Sequence, residues 1–218
     1  VRIGTWNLGG RWGGGHRRLM LDADCQVWLL TGVPETFDLV GTLAPSAEMP
    51  VHGERRLWAA VWSPDPLTAL ASPHRAAALA RQGDLLLCSC VLPWRGAAHI
   101  WPDAGDTTAE RTIAALDRLR TGIETPDHRL VWGGDWNHGM DGPETSGSLE
   151  SRAAIRGTAE WLGLKIPTAD LPHHHDGLLS IDHIAVPWWW EIREARRIPA
   201  LAGGRRLSDH DAYVVETV

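Results

Sequence analysis

Four apolar runs, spread from one end of the chain to the other, each break into a compact polar cluster. They are Asn7 in TWNLGG, Asp135 and Asn137 in GGDWNHG, Asp182 and His183 in SIDHIAVP, and Ser208, Asp209 and His210 in LSDHDAYVVE. Short apolar runs bounded by turn residues read as buried strands. Polar groups at strand ends commonly share a rim, where a rigid sheet positions side chains for chemistry. Each cluster taken alone has an ordinary reading, because Asn and Asp after a strand usually build turns. The four together constrain the fold: it is a sheet-based layer structure in which strand ends distant in sequence meet.

The rest of the chain fits that frame. Residues 1–7 alternate as a strand and run into the Gly-rich loop 9–15, followed by a short helical segment at 17–22. Buried strands are expected at 26–31, closed by Gly32 and Pro34, at 57–62, and at 84–92, stopped by Pro93. The spacing predicts a helix over 107–121 capped by Asp106, with Ile113, Leu116 and Leu119 near helical period, and another over 148–162 capped by Ser148. Further strands are expected at 130–135, 179–186, 190–198 and 211–218. Strands outnumber interspersed helices, so both faces of sheet are covered in an α/β or α+β arrangement. With no repeat and no low-complexity linker, residues 1–218 read as one domain.

Composition narrows the function classes. A net charge of −6 argues against a generally basic coat for nucleic acid or an anionic membrane. No run of about 18 apolar residues exists, so no helix spans a bilayer. Cys25, Cys88 and Cys90 are not spaced as a disulfide framework, which points to buried free thiols and a cytoplasmic location. Of 13 Trp, most are expected in packing, although indole also stacks on bases and sugars.

In the order WN, GDxN, DHI and SDH, the clusters resemble the endonuclease/exonuclease/phosphatase superfamily, which includes DNase I-like nucleases, and the resemblance runs from Val1 to Val218. It implies a four-layer α/β sandwich of two packed mixed β-sheets flanked by helices. It also implies a metal-dependent phosphoesterase, cleaving a phosphodiester or phosphomonoester by in-line attack of water, nuclease activity included. Asp135 then orients or deprotonates the water, Asn137 binds the phosphate, and Asp182 holds His210, which donates to a phosphate oxygen. Asn7 and Asp209 fall where the family reaches Mg²⁺ or Mn²⁺, for which oxygen ligands are suited. The implied partner is a phosphate-ester substrate. Nucleic acid stays open as a partner, but the net charge does not indicate it.

Two positions depart from the family pattern. Gly32 in LLTGVPE takes the place of the principal metal-binding glutamate, and Val91 that of a phosphate-contacting His. On this reading Gly32→Glu restores metal affinity and turnover. Glu35 is either a displaced metal ligand or a loop carboxylate, and His99 reads as an ordinary surface His. The departures carry an alternative: an impaired phosphoesterase fold that binds nucleotide, nucleic acid or another phosphorylated ligand without turnover. Arg205 and Arg206 either grip substrate phosphate or sit in a solvated turn, and Trp136 is a candidate substrate contact beside the site. The triplet His173, His174 and His175 reads as a solvated loop, since adjacent side chains diverge. Asp141 and Glu144 read as loop charges.

Overall fold

The computed structural model describes residues 1–50, 55–101, 105–123, 129–143 and 146–218, and Glu144 falls outside them. In chain order the elements are β1 (Arg2–Asn7), α1 (Gly14–Ala23), β2 (Val27–Pro34), β3 (Thr42–Pro45), β4 (Arg56–Ser63), β5 (Thr68–Leu70), β6 (Ala77–Gln82), β7 (Leu85–Cys90), α2 (Thr108–Gly122), β8 (Leu130–Asp135), α3 (Leu149–Trp161), β9 (Leu164–Lys165), β10 (Asp182–Pro187), β11 (Ile192–Ile198), β12 (Leu201–Ala202), β13 (Arg205–Arg206) and β14 (Ala212–Thr217). Two six-stranded sheets run β11-β14-β1-β2-β4-β3 and β5-β6-β7-β8-β10-β9, with β12 and β13 as a separate ribbon. Both are mixed: β1 with β2 and β7 with β8 are parallel, and the other pairs are antiparallel.

Alternation along the strands creates three apolar layers. Val27 and Leu29 of β2 meet Leu87 of β7, Val131 of β8 and Ile184 of β10 between the sheets. Trp28 and Leu30 face the other way, onto Met20 and Ala23 of α1. On the far side, Cys88, Cys90 and Trp132 pack with Leu116 and Leu119 of α2 and Ile155 of α3. Helix, sheet, sheet, helix gives the four-layer DNase I-like sandwich. A period of two places successive side chains in different layers, so a strand covered on both faces reads as a continuous apolar run. All eight residues of β2 are buried.

The helix ends follow local chemistry, with one correction. Thr107, not Asp106, caps α2: its hydroxyl accepts from Glu110 N at 3.1 Å while Glu110 Oε2 accepts from Thr107 N at 3.0 Å. Ser148 caps α3 by accepting from Ser151 N at 3.1 Å. Gly32 does not close β2, which runs on to Pro34 with Gly32 at φ +57°. The three cysteines are free and buried, and no described helix is long and apolar enough to cross a membrane.

Candidate active site

β1, β8, β10 and the turn before β14 deliver their polar ends to one place. The register sets Asp182 directly opposite Asp135 across the β8–β10 pair. Asn7 ends β1, and its Nδ2 donates to Asp135 Oδ2 at 2.8 Å. Ser208 ties the last segment in: its Oγ donates to Asn7 O at 2.6 Å and accepts from His210 N at 3.1 Å. Trp6 Nε1 donates to His210 O at 3.1 Å, so the backbone on both sides of the imidazole is fixed to β1. Asn137 adopts φ +55°, its N–H donates to Asp135 Oδ1 at 2.9 Å, and its Nδ2 donates to Leu92 O at 2.9 Å.

These contacts form a charge-assisted chain. His210 Nδ1 donates to Asp182 Oδ2 at 2.6 Å, while Nε2 stands 3.4 Å from Asn7 Nδ2 and 4.0 Å from Asp135 Oδ2. Burial works against the imidazolium, but Asp182, Asp135 and Asp209 outweigh it and push the pKa of His210 up to about 10. Both ring nitrogens therefore carry protons at neutral pH. Asn7 Oδ1 accepts from Gly9 N at 2.9 Å, which fixes its amide as a donor toward Asp135. Two donors, His210 Nε2–H and Asn7 Nδ2–H, thus converge on one small region, as an anion requires. Burial raises Asp135 to about 7, with His210 opposing and Asp182 adding to the shift. Asp209 is exposed: what desolvation it has would raise it, but His210 and its own backbone N–H hold it below the usual carboxylate range.

A cradle opens beside this chain. A Cβ on Gly32 would stand 2.6 Å from Asn7 Oδ1, and one on Gly9 would stand 3.0 Å from Asp209 Oδ1. Glycine at each position leaves the space beside one oxygen free of a side chain, Asn7 Oδ1 at Gly32 and Asp209 Oδ1 at Gly9. That donor pair fits a hard divalent cation completed by water and substrate oxygens, since Mg²⁺ commonly takes only one or two protein carboxylates.

The remaining expected residues fall in several places. Glu35 matches its loop-carboxylate reading: the side chain is exposed, past the end of β2, and pairs with Arg55 at 3.3 Å. Trp136 cannot contact substrate, being wholly buried against Trp132 (4.1 Å) and His183, since one residue past Asp135 the side chain turns to the other face of the sheet. Arg205 and Arg206 are both exposed, and Arg206 is committed to Asp211 Oδ1 at 2.7 Å and to Ser208 O. Val91 is buried in the helix-side core, so its side chain is not a vacated phosphate contact, and His99 is exposed. His173, His174 and His175 do not diverge; their rings gather with centroids 3.9–5.1 Å apart. Sequence reading missed two features. Ser208 organises the site, a role its place in the SDH cluster could have signalled. A cavity of about 510 Å³ shares Asn137 with the site and is lined by Trp94, Arg95, Thr107 and Ser148, foreshadowed only by PWR after β7.

Replacing Gly32 does not simply restore a ligand. A side chain at φ +57° costs about 1–2 kcal/mol, and its Cβ displaces Asn7 Oδ1 from Gly9 N. Gly32→Glu is expected to lower the urea unfolding midpoint with no gain in turnover. A variant both as stable as the parent and more active would reinstate the expectation drawn from sequence.

No family model matches the chain, and no curated protein matches it. Solved structures do. The chain is 15% identical to an AP endonuclease from Archaeoglobus fulgidus, with a TM-score of 0.75, covering 100% of this chain and 99% of that one. It is 16% identical to the 3'-5' exonuclease NExo from Neisseria meningitidis, TM-score 0.70, covering 100% and 99%. Against the endonuclease domain of TRAS1, a telomere-specific non-LTR retrotransposon, identity is 18% and the TM-score 0.65, with 100% and 98% covered. Full coverage in both directions makes the likeness one of whole folds.

Proposed function

From the endonuclease/exonuclease/phosphatase fold of this chain, we propose a phosphoesterase that hydrolyses a phosphate ester by in-line attack of water. The observation that carries the reading is the convergence of a carboxylate poised near neutrality, Asp135, with a partly buried imidazolium, His210, across 4.0 Å. Asp135 takes the proton of the attacking water, a role for which a pKa close to the working pH is the most effective. His210 donates from Nε2 to a phosphate oxygen, and the Asn7 amide adds a second donor. Asp182 keeps the ring oriented and charged through its 2.6 Å bond to Nδ1. Asn137, held by Leu92 O, faces the neighbouring cavity and steadies the bound phosphate. Such preorganised donors cost no reorganisation as charge builds in the transition state.

Mg²⁺ or Mn²⁺ would be held by Asp209 and Asn7 Oδ1, and when bound supplies charge neutralisation at the phosphate. With Gly32 in place of a second carboxylate, the cation depends more heavily on substrate oxygens. That single-carboxylate cradle is the observation favouring the second reading, a fold that binds a phosphorylated ligand without turnover. The named activities of the neighbours, endonuclease and exonuclease, support nucleic acid as one substrate class. The cavity beside Asn137 is within the size range for small ligands, which supports a compact ester as well.

The pH dependence tests the assignment. Asp135 must be ionised to accept a proton, so the rate rises as pH climbs through about 7. His210 must be protonated to donate, so the rate falls as pH passes about 10. The expected kcat/KM profile for a phosphodiester is a broad bell between those limbs, and His210→Gln removes the alkaline limb. A profile flat from pH 5 to 8 would remove Asp135 as the base. Tight phosphate binding with no hydrolysis at any pH would select the second reading.

A further inference from the structure

The loop between Pro172 and Leu179 places three imidazoles where sequence alone expects none to meet. One ring nitrogen from each of His173, His174 and His175 lies within 4.8 Å of those of the other two. We propose that these three side chains form a binding site for a late first-row transition-metal ion of the zinc class, separate from the Asn7–Asp209 cradle. The donor set is all imidazole, which suits Zn²⁺, Cu²⁺ or Ni²⁺ rather than a hard cation. Three histidines with an open fourth position are an established zinc arrangement, with Zn–N of about 2.0–2.1 Å, which asks the ring nitrogens to close to about 3.3 Å from one another.

Two observations beyond the clustering support it. His174 Nδ1 is buried and has no hydrogen-bond partner among the described residues, and a bound ion would satisfy it. The loop is also held in shape rather than left to move. Pro172 bridges Leu179, His173 N donates to Leu178 O at 2.9 Å, and Leu178 N donates to His175 O at 3.3 Å. Tyr213 Oη donates to Pro172 O at 3.1 Å, and Arg197 donates to His173 O. His173 Nδ1 now accepts from His175 N at 3.1 Å, the one contact a bound ion would have to share or displace. Asp141 borders the cavity beneath His173 and His175 but is paired with Arg156 at 2.7 Å, leaving the fourth position to water. Since β14 links Tyr213 to the turn carrying His210, the ion would sit on the flank of the catalytic segment.

The test uses the full chain and needs no activity. Zn²⁺ affinity is measured by competition with a chromophoric chelator, for folded protein and for protein unfolded in urea. The proposal expects folded chain to bind one equivalent at least about 100-fold more tightly than unfolded chain, and Zn²⁺ to raise Tm. Co²⁺ is expected to give the intense visible bands of a low-coordinate site. His174→Ala is expected to weaken binding on the order of 100-fold, the upper end of what even outer-shell changes cost, whereas His99→Ala leaves it unchanged. Equal affinity in folded and unfolded chain, a six-coordinate Co²⁺ spectrum, or full affinity in a folded His174→Ala variant would overturn it. Should His174→Ala fail to fold, His175→Ala, at an exposed position, replaces it, with the same expected loss and the same contrary result.

Discussion

Asp135→Asn and His210→Gln are each expected to reduce phosphoester hydrolysis on the order of 10²–10⁴-fold, and His210→Gln is also expected to lower Tm, because it leaves the buried Asp182 carboxylate without its partner. The magnitude follows from what each group does. Asn keeps the shape of Asp135 and an oxygen for one of its two donors, the Asn7 amide or Asn137 N–H, but cannot take a proton from water, and positioned base catalysis contributes about that much. Gln at 210 removes the partly buried positive charge that Asp182, 2.6 Å away, holds in place. The two residues act as a unit, since the charge of each shifts the other's pKa. The double variant is therefore expected to cost little more than the worse single one. Steady-state rates beside urea denaturation curves separate this from a folding defect. Independent, multiplying losses would contradict a shared centre.

Gly134→Ala is expected to produce the largest loss of stability. Gly134 precedes Asp135 at φ +123°, a region closed to side chains at a cost of about 1–3 kcal/mol. A Cβ there would lie 2.1 Å from Cys90 O and 2.9 Å from Cys90 N, both backbone atoms that cannot move without parting β7 from β8. Forced overlap of this kind adds about 1–3 kcal/mol, and the sum is a large share of the roughly 5–15 kcal/mol that holds a domain folded. Gly157 is the matched control. It lies exposed in α3 with nothing within 4 Å of an added methyl, so Gly157→Ala is expected to stabilise by about 0.5–1 kcal/mol. Equal effects from the two substitutions in denaturant unfolding would contradict the packing described around β8.

What could be read in the sequence was what depends on local pattern. The runs that became β1, β4, β7 and β8 are apolar because both sheet faces are covered, and the DTTAE and SLES segments announced helix starts, the cap of the first being expected one residue early. β6, AALARQ, was invisible because alanine favours helix; its small buried side chains serve instead where the two sheets approach closely. The polar clusters marking Asn7, Asp135, Asp182 and His210 were legible because each sits at a strand end. Trp136 was misread because side-chain direction is set by register, and one residue of displacement moves a side chain to another layer. The histidine triplet was misread for the opposite reason: a tied loop, unlike a strand, lets neighbouring rings converge.

The account stands on water attacking phosphorus at the meeting point of Asp135 and His210, and isotope labelling reports that event directly. A simple phosphodiester is hydrolysed by the parent chain in ¹⁸O-enriched water with Mn²⁺ present, beside Asp135→Asn under the same conditions. The expected result is one ¹⁸O in the phosphate-bearing product and none in the released alcohol, with both products lost on Asp135→Asn. Label in the alcohol, or labelled phosphate formed as fast by the Asp135→Asn chain, would contradict it.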